Sequence, residues 1–154
     1  MDTPDSKQTI STLNSLIETL KDGELGYQQA AEEAQDADLK TLCAGYSKQR
    51  HELAKVLQKA AFELGDAKPE HTGSVTSTVH RGWIGLKAAL TNQDRHAILA
   101  ECERGEDIAK KAFADALAQG DLSAELQAAV QEQHEAILAA HDTVKKLRDE
   151  AKTA

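Results

Sequence analysis

Residues 10–33, ISTLNSLIETLKDGELGYQQAAEE, place apolar side chains at Ile10, Leu13, Ile17, Leu20, Tyr27 and Ala31, and the series continues to Ala34. Steps of three and four keep one face of an α-helix apolar, whereas a half-buried strand would alternate at every second residue. The pattern predicts one long helix that starts at Asp5 or Ser6, either of which can cap it, and runs to about Gln35. The series skips Glu24. A carboxylate on the seam would be costly if unpaired, so this helix is expected to join a bundle with a polar layer at mid-height.

The same period recurs downstream. Leu39, Leu42, Cys43, Tyr46, Leu53, Leu57, Ala60 and Leu64 mark a second helix over about 38–64, entered from a turn at Asp36-Ala37-Asp38 and stopped by Gly65. Residues 66–73, with Pro69, read as loop. A shorter amphipathic helix is predicted over 75–90, with Val75, Val79, Trp83, Leu86 and Leu90 on one face and Gly82 and Gly85 beside the only tryptophan. Thr91 or Asn92 is expected to cap the third long helix, about 93–119, whose seam of Leu99, Cys102, Ala109, Phe113 and Ala116 skips Glu106. The fourth, about 122–151, carries Leu126, Val130, Ile137, Ala140, Val144 and Leu147 and skips Gln133. Its basic end, Lys145-Lys146-Leu147-Arg148, suits the negative pole of a helix. The expected fold is all-α and a single domain: a ferritin-like four-helix bundle with a short extra helix in the long connection between helices 2 and 3. That connection can return helix 3 to the opposite end of the bundle; an up-down-up-down order needs less chain.

A chain of 154 residues with 40% hydrophobic content can build one sizeable core, and 3% aromatics with only two prolines favours helix. The net charge of -8 argues against nucleic acid or an anionic membrane surface as partner, because both reward clustered Lys and Arg. No apolar run approaches the roughly 20 residues that span a bilayer. Met1 to Asp5 lacks the basic start of a secretory signal, so a cytoplasmic location is expected. Cys43 and Cys102 have no CxxC spacing and read as reduced, buried small hydrophobes.

Antiparallel register sets the polar positions level. Glu24 and Arg50 each lie about 13 residues from the first turn, and Glu106 and Gln133 each lie about 14 from the second. Arg50 is expected to bridge Glu24 and Glu106, with Gln49 and Gln133 completing the hydrogen bonds. Gly23, Gly26, Gly45 and Gly105 gather at this level, each costing about 1 kcal/mol relative to alanine, which points to close backbone approach or a local irregularity. Such a layer can set packing register alone. It can also hold a metal: Glu24, Glu103, Glu106 and His141 would offer iron or manganese oxygen donors plus an imidazole. Against this, helices 2 and 4 lack Glu-x-x-His and Arg50 would repel a cation. His51, His71 and His96 fall on solvent faces or in loops, His80 can anchor the short helix, and His134 and His141 share a stripe two turns apart. No nucleophile with its base, phosphate loop or zinc spacing is present.

Residues 10–33, His80-Arg81-Gly82-Trp83, the acidic run Glu101 to Asp107, Ala140-His141-Asp142 and Leu147-Arg148-Asp149 together resemble a proteobacterial family of small ferritin-like four-helix-bundle proteins of unknown function. The resemblance runs over nearly the whole chain. It implies the bundle fold and no established reaction, and the segments that carry it contain Glu24, His80, Glu101, Glu103, Glu106 and His141. The full di-iron ligand set of true ferritins is absent. The leading functional expectation is a non-enzymatic structural or partner-binding protein. Iron or manganese binding in a redox or stress-related protein, and a homo-oligomeric scaffold, are the alternatives.

Overall fold

The computed structural model describes residues 6–66 and 83–153. They form an all-α bundle of α1 (Ser6–Glu33), α2 (Ala37–Glu63), α3 (Leu86–Asn92), α4 (Arg95–Gln119) and α5 (Ala124–Thr153). No described helix is long and apolar enough to cross a membrane.

Capping side chains set the helix limits. Lys40 Nζ donates to the carbonyls of Ala31 at 2.8 Å and Glu32 at 3.1 Å, and Gln93 Nε2 donates to that of Glu33 at 3.0 Å. These satisfy carbonyls that the last turn leaves free, so α1 ends at Glu33, two residues before its expected end. Asp36 caps α2 through Asp38 N at 2.9 Å. Burial, the largest single influence, works against the Asp36 carboxylate, but the hydrogen bond and charge of Arg95 and the backbone hydrogen bonds of Asp38 and Leu39 together outweigh it and lower its pKa. The cap of α4 is Asp94, which accepts from Ala97 N at 3.2 Å. Thr91 and Asn92, expected in that role, instead finish α3, because Gln93 turns left-handed at φ 50° and breaks the chain there.

Contacts at both ends give the helix directions. Near the start of α1, Thr9 Oγ1 donates to the Asp121 carbonyl at 2.5 Å; beyond its end, Gln35 N donates to Gln93 Oε1 at 2.8 Å. α1 is therefore antiparallel to α4 as well as to α2, and α4 is antiparallel to α5. It follows that α2 and α4 run the same way, and the link between them returns the length of the bundle.

The core has two parts. The lower packs Leu13, Leu16, Ile17 and Leu20 against Leu57, Phe113, Val130 and Ile137. The upper packs Tyr27, Leu39 and Cys43 against Trp83, Leu99, Cys102 and Val144. A polar layer falls between them.

The short helix of the crossover differs from its expected extent. Positions 75–82, including Val75, Val79 and His80, lie outside the described residues, as does His71. Among those described, only Leu86–Asn92 is helical, and Trp83 precedes it in a turn. The indole is seated against two helix backbones. A Cβ added at Gly26 of α1 would lie 2.3 Å from the ring, and one at Gly105 of α4 2.5 Å from it. Both glycines are therefore close-approach positions for one tryptophan. Gly45, by contrast, has nothing within 4 Å of such a Cβ, and Gly23 would meet Arg50 only at an ordinary 3.5 Å.

Candidate functional site

The layer between the two cores is built on one ion pair. Arg50 Nη1 and Nη2 donate to Glu106 Oε1 at 2.5 Å and Oε2 at 2.7 Å, a bidentate pair in which Arg50 is 1% exposed and Glu106 0%. Burial, the largest single influence, would lower the guanidinium pKa; the charge and hydrogen bonds of Glu106, with smaller contributions from Tyr27 and Tyr46, together outweigh it, and the pKa of Arg50 is raised. Gln49 accepts from Arg50 Nε at 3.3 Å. Gln133 stays apart from the pair: its Nε2 donates to the Leu53 carbonyl at 3.1 Å, and its Oε1 has no hydrogen-bond partner among the described residues.

Glu24 lies elsewhere. Its carboxylate binds Lys21 Nζ at 2.6 Å and His51 Nδ1 at 3.1 Å, on the outer side of the α1–α2 seam. The expected Glu24–Arg50–Glu106 bridge is corrected to a single Arg50–Glu106 pair, and Glu24 leaves the expected metal set as well. Level register places two residues at one height but not on one face. Glu24 falls to the edge of the seam because Gly23, one residue earlier, is the position that faces Arg50.

Glu106 is also withdrawn from the metal set, since Arg50 takes both its oxygens. The remaining two expected ligands do come together, with a third that periodicity passed over. Glu103, Asp107 and His141 each offer one donor atom within 4.8 Å of the others. His141 Nε2 stands 2.9 Å from Asp107 Oδ1 and 3.8 Å from Glu103 Oε1, and its Nδ1 stands 3.1 Å from Asp142 Oδ1. Arg148 holds the outer oxygen of Glu103 through Nη1 and reaches Asp149 at 2.7 Å through Nη2. Glu103 and Asp107 share a face of α4 because they are four residues apart, and α5 brings His141 across to them. His141 is 7% exposed, whereas the Asp107 side chain is 55% exposed and opens the cluster to solvent.

A neutral imidazole has one N–H and cannot donate on both sides. Carboxylate oxygens stand beside both ring nitrogens, an arrangement in which a cation at Nε2 would be favourably placed. The contact from Asp142 to Nδ1 is the kind that orients a histidine ligand.

Other candidates take structural places. Glu101 Oε2 accepts from Gly85 N at 3.1 Å, tying the start of α3 to α4, and its Oε1 pairs with Arg104 at 2.9 Å. His134 stacks on Phe113, with ring centroids 6.5 Å apart. Cys43 and Cys102 are free, buried thiols. Their mutual hydrogen bond lowers the pKa of Cys43; the same bond, with burial, pushes Cys102 well above its ordinary value.

Tyr27 sits beside the ion pair with its ring 4.8 Å from that of Trp83, and its buried hydroxyl has no hydrogen-bond partner among the described residues. Burial, and then the Glu106 charge, push its pKa well above 10.0. Tyr27 and Cys102 are thus acids held neutral by the fold. The stability this contributes is complete below their ordinary values of 10.0 and 9.0 and is lost as pH rises through them towards the folded values. The urea midpoint is expected to fall from about pH 9 upward. Tyr27→Phe should flatten the part of that fall that begins near pH 10, and at pH 7 it should match or exceed wild type, because it removes an unsatisfied hydroxyl worth about 1–3 kcal/mol. Urea melts of both proteins at pH 7, 9 and 10.5 check this.

A family model described as a domain of unknown function, DUF2383, matches residues 8–119. No curated protein matches the chain.

Proposed function

The chain belongs to the DUF2383 family of domains of unknown function, and we propose that it binds a divalent transition metal, iron or manganese, through Glu103, Asp107 and His141. The observation that carries this reading is the His141 imidazole with carboxylate oxygens at both nitrogens, its Nε2 turned towards Asp107 and Glu103.

The donor spacing suits an ion. Two donors at right angles on one metal, each about 2.1 Å away, lie about 3.0 Å apart. The 2.9 Å and 3.8 Å separations at His141 Nε2 bracket that distance. The exposed Asp107 is the ligand with room to adjust. Two carboxylates with one imidazole suit manganese(II) and iron(II), and solvent on the Asp107 side leaves positions for water. Arg148 leaves Glu103 Oε1 free while fixing the other oxygen.

The direction of the helices, with one long crossover, supports a ferritin-like bundle, while the site lies at the α4–α5 edge. In this reading the Arg50–Glu106 pair serves packing register, and metal chemistry is confined to the edge cluster.

The test is elemental analysis of protein purified without affinity metal, before and after anaerobic loading with Fe(II) or Mn(II). About one ion per chain is expected, retained by Glu24→Ala and lost by Asp107→Asn/His141→Ala with the helical circular dichroism unchanged. A wild type that stays empty under both loadings would sink the proposal. So would a double variant that binds as well as wild type.

A further inference from the structure

Arg148 follows His141 by two turns of α5, so both side chains reach α4 from one face of that helix. They divide the Glu103 carboxylate between them. Arg148 Nη1 donates to Oε2, while Oε1 is the oxygen that stands 3.8 Å from His141 Nε2. The other edge of the guanidinium is engaged by Asp149, whose Oδ1 accepts from Nε at 3.1 Å and from Nη2 at 2.7 Å. A planar guanidinium held on two edges has a fixed orientation, so Nη1 stays aimed at Glu103. The Glu103 side chain is only 11% exposed, which leaves water little access to replace Arg148 at Oε2.

This contact decides how Glu103 can bind an ion. A carboxylate ligates a metal through one oxygen or through both, and with Oε2 taken by Arg148 only Oε1 is turned to the cluster. Manganese(II) and iron(II) are satisfied by about six donors, of which single carboxylate oxygens, an imidazole and waters are ordinary members. Calcium takes about six to eight oxygens and draws on two-oxygen carboxylates to reach that number. Here Glu103, Asp107 and His141 bring one nitrogen and few oxygens. Given the metal site proposed above, we infer that Arg148 is its specificity-determining residue: by keeping Glu103 a one-oxygen ligand, it selects six-coordinate transition ions against calcium. The charge of Arg148 repels every divalent cation alike. Its selective effect therefore lies in the ratio of two affinities and not in either one alone.

The experiment is competitive titration of the full-length chain with Mn(II) and Ca(II), free and bound manganese being read by electron paramagnetic resonance, for wild type, Arg148→Met and Arg148→Lys. Wild type is expected to prefer Mn(II). Arg148→Met keeps the apolar stem but frees Oε2 and removes the charge. Both affinities should then rise, that for Ca(II) by roughly tenfold more, because calcium gains the extra oxygen ligand. Arg148→Lys retains a charge and a donor for Oε2, and should stay close to the wild-type ratio. Helical circular dichroism should be the same in all three. A wild type that binds neither ion overturns the metal site and this role together. If wild type binds Mn(II) but Arg148→Met leaves the ratio unchanged, the site stands and Arg148 does not set its choice. An equal shift of the ratio in Arg148→Met and Arg148→Lys overturns the role as well, since the donor to Oε2 would then be irrelevant.

Discussion

Glu106→Ala is expected to lose roughly 3–5 kcal/mol of stability, the usual cost of leaving a buried charge without its partner. Arg50 is 1% exposed and has no route to water at its position between the two halves of the core. It also cannot shed its charge, because a guanidinium stays protonated at any ordinary pH. Its two donors to Glu106 would lose both acceptors at once, and Gln49, bound to Nε at 3.3 Å, cannot replace a carboxylate. The compensating variant is the sharper part of the test. Replacing both partners with apolar groups, as Arg50→Met/Glu106→Leu, removes both the attraction and the desolvation cost, and should recover most of the loss. Urea unfolding of the three proteins at pH 7 measures this. A double variant as unstable as Glu106→Ala would show that the pair contributes more than mutual neutralisation.

Gly26→Ala is expected to cost about 3 kcal/mol, close to the penalty for removing a buried aromatic side chain. The new methyl carbon would lie 2.3 Å from the indole of Trp83, inside any possible contact, and the ring is too rigid to yield locally. Trp83 would have to lift from its seat on α1 and α4. It would give up its burial and its edge contact with Tyr27, whose ring lies 4.8 Å away. Because this is the only tryptophan, its fluorescence reports the outcome directly and should shift to the red. Gly105→Ala should behave the same way, with the ring 2.5 Å from its added carbon. Gly45→Ala is the control: nothing lies within 4 Å of its added carbon, so helix propensity alone should stabilise the protein by about 1 kcal/mol. If Gly26→Ala and Gly45→Ala give the same stability and the same emission, the tryptophan seat has no energetic importance.

These two expectations also show how legible the protein was. Four long helices followed from apolar residues at steps of three and four, because a regular period writes the buried face of a helix directly into the chain. Glu106 was recognisable as a buried acid because it interrupts such a period. Glu24 interrupts one in the same way yet sits half-buried at the edge of the seam with Lys21 and His51. A skipped position says that the seam is polar there, and the final rotation of the helix decides whether that position is central or marginal. The glycines pose a similar problem: their cost marked four places, but only the path of the crossover distinguished Gly26 and Gly105, which carry Trp83, from Gly45, which carries nothing.

The candidate metal site divides in the same way. Glu103 and His141 could be named from residue type and approximate height, whereas Asp107 was visible only as part of an acidic run. Its four-residue spacing from Glu103 was the available signal, but that spacing is common among solvated acids. The sequence by itself determined the four long helical stretches, the apolar seam along each and that a charged layer divides the core, because these are properties of one helix at a time; it did not determine the short crossover helix, which spans Leu86–Asn92 among the described residues. The tertiary structure alone decided that Arg50 pairs with Glu106, that His141 meets Glu103 and Asp107, and that Arg148 reaches Glu103 from α5. Those depend on the relative rotation and offset of helices, which many weak packing contacts settle together and no local pattern records.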